Sequence, residues 1–357
     1  MKAQLTALSL LIASALTQPA LANSGASERF ANEPDNTGWA IYIDNDVLSP
    51  GSSDRDYTGG FSVTLSGKSA QNALLSVDDW RAGLDRFSGL ADVYSDAAFS
   101  RHSLEMGVTV FTPQELSNRA LQVGDRPYAS LLYLANTAIN VVPEREVAYL
   151  STLTIGVLGA HAVANLQQGL HEVLGSEEPV GWDNQISDGG ELTFRYSVAR
   201  ADRSWAGTIG GTAGELTTTM RASVGYLTEA SIGFATRFGD IRTPWWSYNP
   251  QIADYAEKSV PIAASEGSGP EQYVWAGVNI RARAYNAFLQ GQFRDSDVTF
   301  SHNELRPFVF EAWLGYTFAT AHGWRYSYLL RGQSAEIEDG PADRSVLWGG
   351  LIISQSF

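Results

Sequence analysis

Two side chains suited to ester hydrolysis stand four residues apart in a segment with helical spacing. Apolar residues recur at helical intervals over 161–174, which puts Gln167 and His171 on one helix face, and Gly175 follows as a helix stop. Histidine is the side chain whose unperturbed pKa lies near neutrality, so His171 is suited to take a proton from an attacking water molecule. The spacing therefore makes His171 a candidate general base with Gln167 beside it, whereas a single histidine on a surface helix is more often only solvated.

A second group of polar residues lies near the ends of predicted strands and after this helix. Asn45 and Asp46 end the first strand, Thr58 opens the second strand, and Glu177 follows the helix. Ca2+ accepts oxygen ligands from carboxylates and amides. Asp46 and Glu177, with Asn45 or a backbone carbonyl, could therefore supply several ligands of a calcium ion that polarises an ester carbonyl. Thr58 belongs to the polar face of its strand and is expected to point inward, where it orients water or substrate.

Alternatives remain open from these residues alone. Glu178 adjoins Glu177 and is a candidate for the same role. A serine nucleophile is a weaker mechanism, because no serine is an obvious partner for His171. Aspartates also suit plain turns, which is the other interpretation of Asp44, Asp54 and Asp56.

The start of the chain has the features of a secretory signal peptide. Lys2 precedes an apolar run and the small residues Ala20 and Ala22, so residues 1–22 are expected to be removed. The 357 residues include no cysteine, which excludes disulfides and thiolate metal sites. No later stretch approaches the ~18 consecutive apolar residues of a membrane helix. The net charge of −15 argues against nucleic acid as a partner.

Alternating apolar and polar residues indicate membrane-spanning strands rather than a soluble β-protein, whose exterior would be polar. Over 306–318 one face is apolar throughout, with Phe308, Phe310, Ala312, Leu314, Tyr316 and Phe318. A lipid-exposed arginine at mid-membrane costs roughly 2–4 kcal/mol. The strand arginines are therefore expected to face the lumen and to pair with Glu105, Glu191 and Glu311. The chain ends on Phe357, which resembles the terminal signal of bacterial outer-membrane barrels.

The predicted fold is all-β: a twelve-stranded antiparallel transmembrane β-barrel formed by a single domain, 23–357. Its strands are expected near 38–46, 57–67, 101–112, 127–141, 147–158, 189–201, 215–226, 228–238, 272–286, 304–319, 323–334 and 344–357. An even strand number leaves both termini in the periplasm, so the helix lies in the third outer loop and is extracellular. The stretches 68–100 and 239–271 then become long periplasmic connections, the first with an amphipathic helix over 74–90. Trp245 and Trp246 are expected in a periplasmic aromatic girdle.

Seven short motifs resemble the family of outer-membrane lipid A 3′-O-deacylases and follow in that family's order. They are IDNDV (43–47), DRDYTGG (54–60), VFTP (110–113), GDRPYAS (124–130), QQGLHEVLG (167–175), GWDNQI (181–186) and AYNAFLQG (284–291). The resemblance implies a monomeric twelve-stranded barrel in the bacterial outer membrane. It also implies calcium-dependent hydrolysis of the 3′-linked acyloxyacyl ester of lipid A, the lipid part of lipopolysaccharide, at the outer leaflet.

Site residues carry over from the family one by one. His171 takes the place of the general base and Gln167 that of its companion, while Glu177 matches the acidic residue after the helix. The remaining matches are Asn45, Asp46 and Thr58. Some family members have a Lys-Arg pair after the TP motif, where this chain has Asn118-Arg119 and a shorter loop. Arg119 alone is carried over, as a phosphate contact, and Trp182 is expected to contact substrate.

Two other classes of function compete with the deacylase. One is another outer-membrane lipid hydrolase of the phospholipase type, which would release fatty acid from phospholipid and leave lipid A untouched. The other is a transport or adhesion barrel without chemistry, which would conduct ions and hydrolyse nothing. An enzyme of the deacylase class is the favoured interpretation, because only it accounts for the seven motifs together.

Overall fold

Twelve antiparallel strands close into a barrel in the computed structural model. The structure describes residues 33–50, 55–174, 177–248, 250, 253–258, 261–263 and 269–357, with only the backbone described at positions 170, 171, 173 and 174. The strands are β1 (Gly38–Asn45), β2 (Asp56–Ser66), β3 (Phe99–Thr112), β4 (Ala129–Val142), β5 (Val147–Leu158), β6 (Glu191–Ile209), β7 (Thr212–Gly225), β8 (Leu227–Asp240), β9 (Glu271–Asn286), β10 (Phe308–Ala319), β11 (Trp324–Gln333) and β12 (Val346–Ser356). Each strand pairs with its chain neighbours, and β1 closes the barrel against β12. The predicted twelve-stranded architecture is confirmed.

The alternation of residue types explains which side chains face outward. Along β10 every second residue is exposed and the residues between them are buried. The exposed positions are apolar or aromatic and include Phe308, Phe310, Leu314, Tyr316 and Phe318. Successive strand residues point to opposite faces, so the exterior of this wall is apolar. None of the helices in the described ranges has the length and apolarity needed to cross a bilayer.

The two ends of the barrel differ in the length of their connections. One end has three short turns, at 143–146, 210–211 and 320–323, while most connections at the other end are longer. Transmembrane barrels have short periplasmic turns and longer outer loops. The β6–β7 hairpin extends further than predicted, to Ile209 and Thr212 instead of 201 and 215. The reason is that the pairing continues past a bulge at Arg203–Trp205.

In the described part of the chain, five α-helices and several 3-10 turns lie between the strands. The helices are α1 (Lys68–Gln71), α2 (Asp78–Ser88), α3 (Leu90–Val93), α4 (His161–Leu174) and α5 (Ala287–Gln290). The 3-10 turns are Asp46–Leu48, Pro143–Arg145, Trp182–Asn184, Trp245–Ser247 and His302–Glu304. Helix α4 lies in the connection between β5 and β6, where the sequence predicts it. Helix α2 falls within the predicted amphipathic segment 74–90.

The connection between β8 and β9 is not a turn outside the barrel. Its described residues fold into the lumen and form a plug. The Asp254 carboxylate lies 3.0 Å from Arg281 and 3.2 Å from Arg195, which are both strand residues. Trp245 and Trp246 are buried beside Phe99. The predicted aromatic girdle at these tryptophans is therefore wrong: their rings fill space inside the protein.

Paired charges occupy the lumen around the plug. Arg281 contacts Glu311 at 2.8 Å and Glu229 at 2.9 Å, and it is fully buried, as expected for an inward-facing strand arginine. Glu311 also pairs with Arg331 at 3.2 Å. Glu191, which the sequence analysis pairs with a strand arginine, instead accepts hydrogen bonds from the Ser187 hydroxyl and the Phe293 amide. Compensated charge of this kind is what a buried network requires.

Candidate active site at the strand ends

A row of four paired residues crosses the first four strands near the end with the longer loops. Asn45 of β1 pairs with Gly59 of β2, Gly59 with Val110 of β3, and Val110 with Ser130 of β4. Asp44, the neighbour of Asn45, contacts the plug in the lumen, so the alternation along β1 puts Asn45 on the exterior. The four positions therefore form one strip on the outside of the barrel, which is called the exterior row below.

The side chain of Asn45 organises the start of the loop that follows β1. Its Oδ1 accepts a hydrogen bond from Val47 N at 2.8 Å and caps the 3-10 turn, while its Nδ2 donates to the Thr58 carbonyl at 2.9 Å. Gly59 leaves room for this arrangement, because a Cβ there would lie 2.5 Å from the Asp44 carbonyl and 3.2 Å from Asn45 Nδ2. Asp46 is buried, and its Oδ2 accepts from Arg55 N at 2.8 Å.

Thr58 does not point into the lumen as the strand pattern predicts. A bulge between Tyr57 and Gly59 makes Thr58 the extra residue in its strand, so it leaves the alternation that turns Ser62 inward. Its hydroxyl lies 2.5 Å from the hydroxyl of Thr112. Thr112 follows Phe111, whose ring packs in the lumen, and therefore belongs to the exterior face of β3. The bulge thus brings Thr58 to the same side as Asn45.

Helix α4 covers part of the exterior row. Val163 and Ala164 of its first turns are buried in a cluster with Val110 and with three residues from the surrounding loops, Leu116, Tyr128 and Trp182. Gln185 Oε1 lies 3.3 Å from the Ser130 hydroxyl, which donates to it. The row, the helix and the loop after it therefore pack together on the outside of the barrel wall.

Gln167 lies in this helix with its polar atoms enclosed. Its side chain is only 7% exposed, and neither Oε1 nor Nε2 has a hydrogen-bond partner among the residues that the structure describes. His171 follows one turn later on the same helical face, and its imidazole lies outside the described part of the chain. A buried amide without a partner is costly, which points to a group that a ligand completes.

The two residues predicted to contact substrate have different surroundings. Trp182 is buried, its ring centroid is 4.8 Å from that of Tyr128, and its indole nitrogen has no partner in the described ranges. Arg119 is exposed, and its carbonyl accepts from Asn184 Nδ2 at 2.9 Å. Trp182 is thus a packing residue of the wall beside the site, whereas the Arg119 side chain extends from the loop surface.

The predicted calcium ligands fit a hard cation only in part. Within the described ranges, no three His, Cys, Asp or Glu side chains lie close enough together to hold a metal ion. Asp46 supplies one buried carboxylate, and the nearby Asn45 carboxamide offers an oxygen of the kind Ca2+ accepts. Glu177 is exposed and follows residues 175–176, which lie outside the described chain. Asp46 and Asn45 thus offer donor types that Ca2+ accepts, but the described residues do not gather a complete ligand set.

Sequence reasoning missed an ion-paired cluster at the rim, where loops converge above the lumen. The Arg344 guanidinium contacts Asp56 at 2.7 Å and Asp125 at 2.6 Å, while Arg126 contacts Asp56 at 3.4 Å and Glu336. Asp56 is therefore not a plain turn former. Burial alone would raise the pKa of Glu336, but the charges of Arg126 and Arg283 hold it below its ordinary value. The charged residues of DRDYTGG and GDRPYAS are the sequence signal for this cluster.

The plug supports the site from the lumen side. Lys258 Nζ donates to Asp44 Oδ2 at 2.5 Å and to the Tyr57 hydroxyl at 2.6 Å. Asp44 precedes Asn45 in β1, and Tyr57 precedes Thr58 in β2. The Lys258 ammonium group therefore links β1 and β2 on the lumen side of the wall, behind the candidate site. Asp44 is therefore a buried ion-pair partner and not a turn former. No local pattern reveals this contact, because Lys258 lies 214 residues from Asp44.

An apolar exterior, a closed antiparallel wall and a lumen filled by paired charges together define a β-barrel of the outer-membrane class. The family model described as "Outer membrane protein LpxR" matches residues 7–357. The chain belongs to this family. Among curated proteins, none has a matching sequence.

Solved structures share the barrel. LpxR from Salmonella typhimurium aligns with a TM-score of 0.69 at 18% sequence identity, covering 90% of this chain and 100% of that chain. The β-domain of the Bordetella autotransporter BrkA has a TM-score of 0.42 at 9% identity, covering 91% of this chain and 100% of its own. The first likeness supports the fold of the whole chain, and the second is too low to bear on the site.

Proposed function

We propose that this protein is a lipid A 3′-O-deacylase, which hydrolyses the ester that joins the acyloxyacyl chain to the 3′ position of lipid A. Membership of the family supports this class of substrate. The observation that carries the proposal is the position of the exterior row. The row lies on the outside of the barrel and α4 packs on its Val110, so a lipid would approach this strip from the outer leaflet without entering the lumen.

His171 is the proposed general base. It takes a proton from a water molecule while the water oxygen bonds to the ester carbonyl carbon. The resulting oxyanion collapses, the bond from the carbonyl carbon to the sugar oxygen breaks, and His171 returns the proton to that oxygen. The products are a free acyloxyacyl acid and lipid A with a 3′ hydroxyl group.

Neutral polar groups have the positioning roles in this proposal. The buried amide of Gln167 lacks a described partner, so its N–H is available to donate to the oxyanion. Thr58 lies within hydrogen-bond reach of Thr112 and orients the water or the substrate. Asn45 holds the strand end through the Thr58 carbonyl. Arg119 binds a lipid phosphate from the loop surface, and Trp182 shapes the wall against which the acyl chain packs.

Calcium is the proposed cofactor, with Asp46 and Glu177 as its acidic ligands. When bound, the ion would be held by Asp46 and Glu177 and would supply Lewis-acid polarisation of the ester carbonyl, on a protein whose net charge is −15. The proposed functional unit is a monomer, because one chain closes the whole barrel. The signal peptide predicted for residues 1–22 lies outside the described residues and remains a prediction.

Mass spectrometry of lipid A from cells that express the wild type or His171→Ala tests the proposal. We expect the wild type to remove one acyloxyacyl group and His171→Ala to leave lipid A intact, since removing a general base costs roughly 10²–10⁴-fold in rate. His161→Ala is the matched control, because His161 lies on the same helix and is exposed. We expect this control to retain activity and a chelator to abolish it.

Three other results would contradict the proposal. Full activity of His171→Ala would remove the general base. Release of fatty acid from phospholipid with lipid A untouched would select a phospholipase. Unchanged lipid A together with ion conductance in planar bilayers would select a transport barrel.

A further inference from the structure

Helix α2 is amphipathic, but its charged side faces the protein and its apolar side faces outward. A surface helix on a water-soluble protein has the opposite orientation. Its charged residues Asp78, Arg81 and Asp85 are buried, with exposed fractions of 2%, 3% and 0%. Its large apolar residues face away from the protein, where Trp80 is 66% exposed and Phe87 is 90% exposed. A surface helix in water turns its apolar stripe toward the core, so this helix is oriented for apolar surroundings.

The polar face of α2 is fixed by ion pairs within the helix. Arg81 Nε contacts Asp78 Oδ1 at 2.6 Å, and its Nη1 contacts Asp85 Oδ2 at 2.6 Å. The spacing of three and four residues puts these groups on adjacent turns of one face. The hydroxyl of Tyr94, beyond the helix, also donates to Asp85 at 2.7 Å.

The same charged face contacts the barrel wall. Arg81 Nη1 donates to the Ser151 hydroxyl at 2.7 Å, and the Tyr196 hydroxyl donates to Asp85 at 2.6 Å. Tyr196 adjoins Arg195, which points into the lumen, so Tyr196 belongs to the exterior face of β6. Thr154 of β5 bonds the plug inside, and Ser151, an odd number of residues away, therefore faces out. Helix α2 thus lies on the outside of the wall, attached through polar groups.

Apolar side chains continue from the helix to the barrel exterior. Leu74, just before α2, is 100% exposed, and Leu75 beside it is 57% exposed. Further along β3, β4 and β6, the exterior of the wall exposes other apolar side chains, among them Met106, Leu132 and Phe194. The surface that faces lipid on the barrel and the outer face of α2 are therefore one continuous apolar surface.

The charges that α2 leaves exposed lie on one flank. Asp79 and Arg86 are seven residues apart, hence on the same side of the helix, between the buried polar face and the apolar face. Helices that lie in the plane of a membrane interface have this pattern of an apolar side and a charged flank toward water. The connection that carries α2 lies at the end with the short turns, which is the periplasmic end of such barrels.

We propose that α2, with Leu74 and Leu75, lies in the periplasmic leaflet of the outer membrane and packs its apolar face against phospholipid acyl chains. The occupant of this face is bilayer lipid, because the face is continuous with the lipid-facing wall and no polar group of the protein covers it in the described ranges. The helix is an in-plane anchor attached to β5 and β6 by its charged side. This inference rests on the outer-membrane class of the protein and not on the proposed deacylase activity.

Site-directed spin labelling tests the proposal cleanly, because the chain has no cysteine. Single-cysteine variants Phe87→Cys and Asp79→Cys are labelled with a nitroxide and reconstituted in phosphatidylethanolamine–phosphatidylglycerol vesicles. Leu314→Cys, on the exposed apolar face of β10, is the lipid control, and Asp295→Cys, in an exposed loop, is the water control. Accessibility is measured to oxygen, which concentrates in lipid, and to a water-soluble nickel chelate.

We expect the ratio of oxygen to nickel accessibility at position 87 to match that at 314 and to exceed those at 79 and 295. A ratio at 87 equal to that at 295 would overturn the proposal, because the face would then contact water. Dipolar broadening at 87 that disappears on dilution with unlabelled protein would also overturn it, because a second copy would then cover the face. Trp80→Cys repeats the measurement on the same face, and heat-modified gel mobility identifies folded barrel in every sample.

Discussion

The buried carboxamide of Gln167 has no hydrogen-bond partner among the described residues. Both of its polar atoms are enclosed without a partner among the described residues, and leaving such a group unsatisfied costs about 1–3 kcal/mol. Gln168, its neighbour, is satisfied instead, since its Nε2 donates to the Pro179 carbonyl at 3.1 Å. Two adjacent residues of one type therefore have opposite energetic roles, which makes a comparison between them informative.

Replacing Gln167 with leucine is expected to separate activity from stability. We expect Gln167→Leu to lose most deacylase activity, because the oxyanion loses a donor, and to unfold at an equal or higher temperature, because an unsatisfied amide is removed. Lipid A mass spectrometry and thermal unfolding on gels measure the two properties. Gln168→Leu is the control, expected to keep activity and to lose about 1 kcal/mol of stability. Full activity with reduced stability in Gln167→Leu would assign Gln167 a purely structural role.

Residue types and motif order select the proposed site residues but do not predict where their side chains point. The strand pattern turns Thr58 inward, whereas the bulge at Tyr57–Gly59 turns it toward Thr112. A bulge adds one residue to one strand and reverses the faces beyond it, and no composition signal marks it here. The role of Asp44 as an ion-pair partner could not be predicted either, because its partner Lys258 is distant in sequence.

At the scale of elements, the strands follow from local patterns and the plug does not. The clearest strands, such as β10, repeat an alternation whose physical cause is the contrast between lipid outside and polar groups inside. The segment between β8 and β9 has no such period, because its contacts are individual pairs such as Asp254–Arg281 and Lys258–Asp44. The position of this segment in the lumen could therefore not be inferred from residue spacing. The excess of inward-facing arginines indicates only that acidic partners lie inside the barrel.

The rim loop that carries Glu336 should make stability sensitive to acid. In the folded protein the pKa of Glu336 lies below the ordinary value of 4.5, because the charges of Arg126 and Arg283 outweigh the effect of burial. A carboxylate of this kind stabilises the fold fully above that value, and the contribution is lost as pH falls through the folded pKa. We therefore expect wild-type unfolding free energy to decrease below about pH 4.5.

Glu336→Gln is expected to flatten this acid dependence. At neutral pH it leaves Arg126 and Arg283 without their shared carboxylate, at a cost of about 3–5 kcal/mol. Urea unfolding at pH 3, 5 and 7 measures both effects. Glu338→Gln is the matched control, because Glu338 lies in the same loop and is exposed. Equal acid slopes for wild type and Glu336→Gln would remove the assigned role of this carboxylate.

At the scale of the whole molecule, the described residues fill the lumen. Ion pairs join the plug to several strands, and the large residues Tyr255 and Trp348 pack together inside the barrel. A cavity of about 120 Å³ lies between the plug and β1 and β9–β12. Such a volume holds several water molecules.

A barrel filled in this way should not conduct ions. We expect purified wild-type protein in planar bilayers to show no stepwise current, because ions would have to displace buried, paired charges. A porin measured under the same conditions is the positive control. Regular single-channel steps from the wild type would contradict the filled lumen and favour a transport function.

The pairing of β1 with β12 determines when the turn after Asn45 can take its final shape. The turn after Asn45 takes its final shape from the end of the chain: Tyr328 Oη donates to the Leu48 carbonyl at 2.6 Å, and the Ser49 hydroxyl donates to the Leu347 carbonyl at 3.4 Å. These partners lie near the C-terminus, which the ribosome synthesises last. An unfinished or unassembled polypeptide therefore lacks these two contacts beside Asp46, and the proposed hydrolase would be complete only after the barrel has closed.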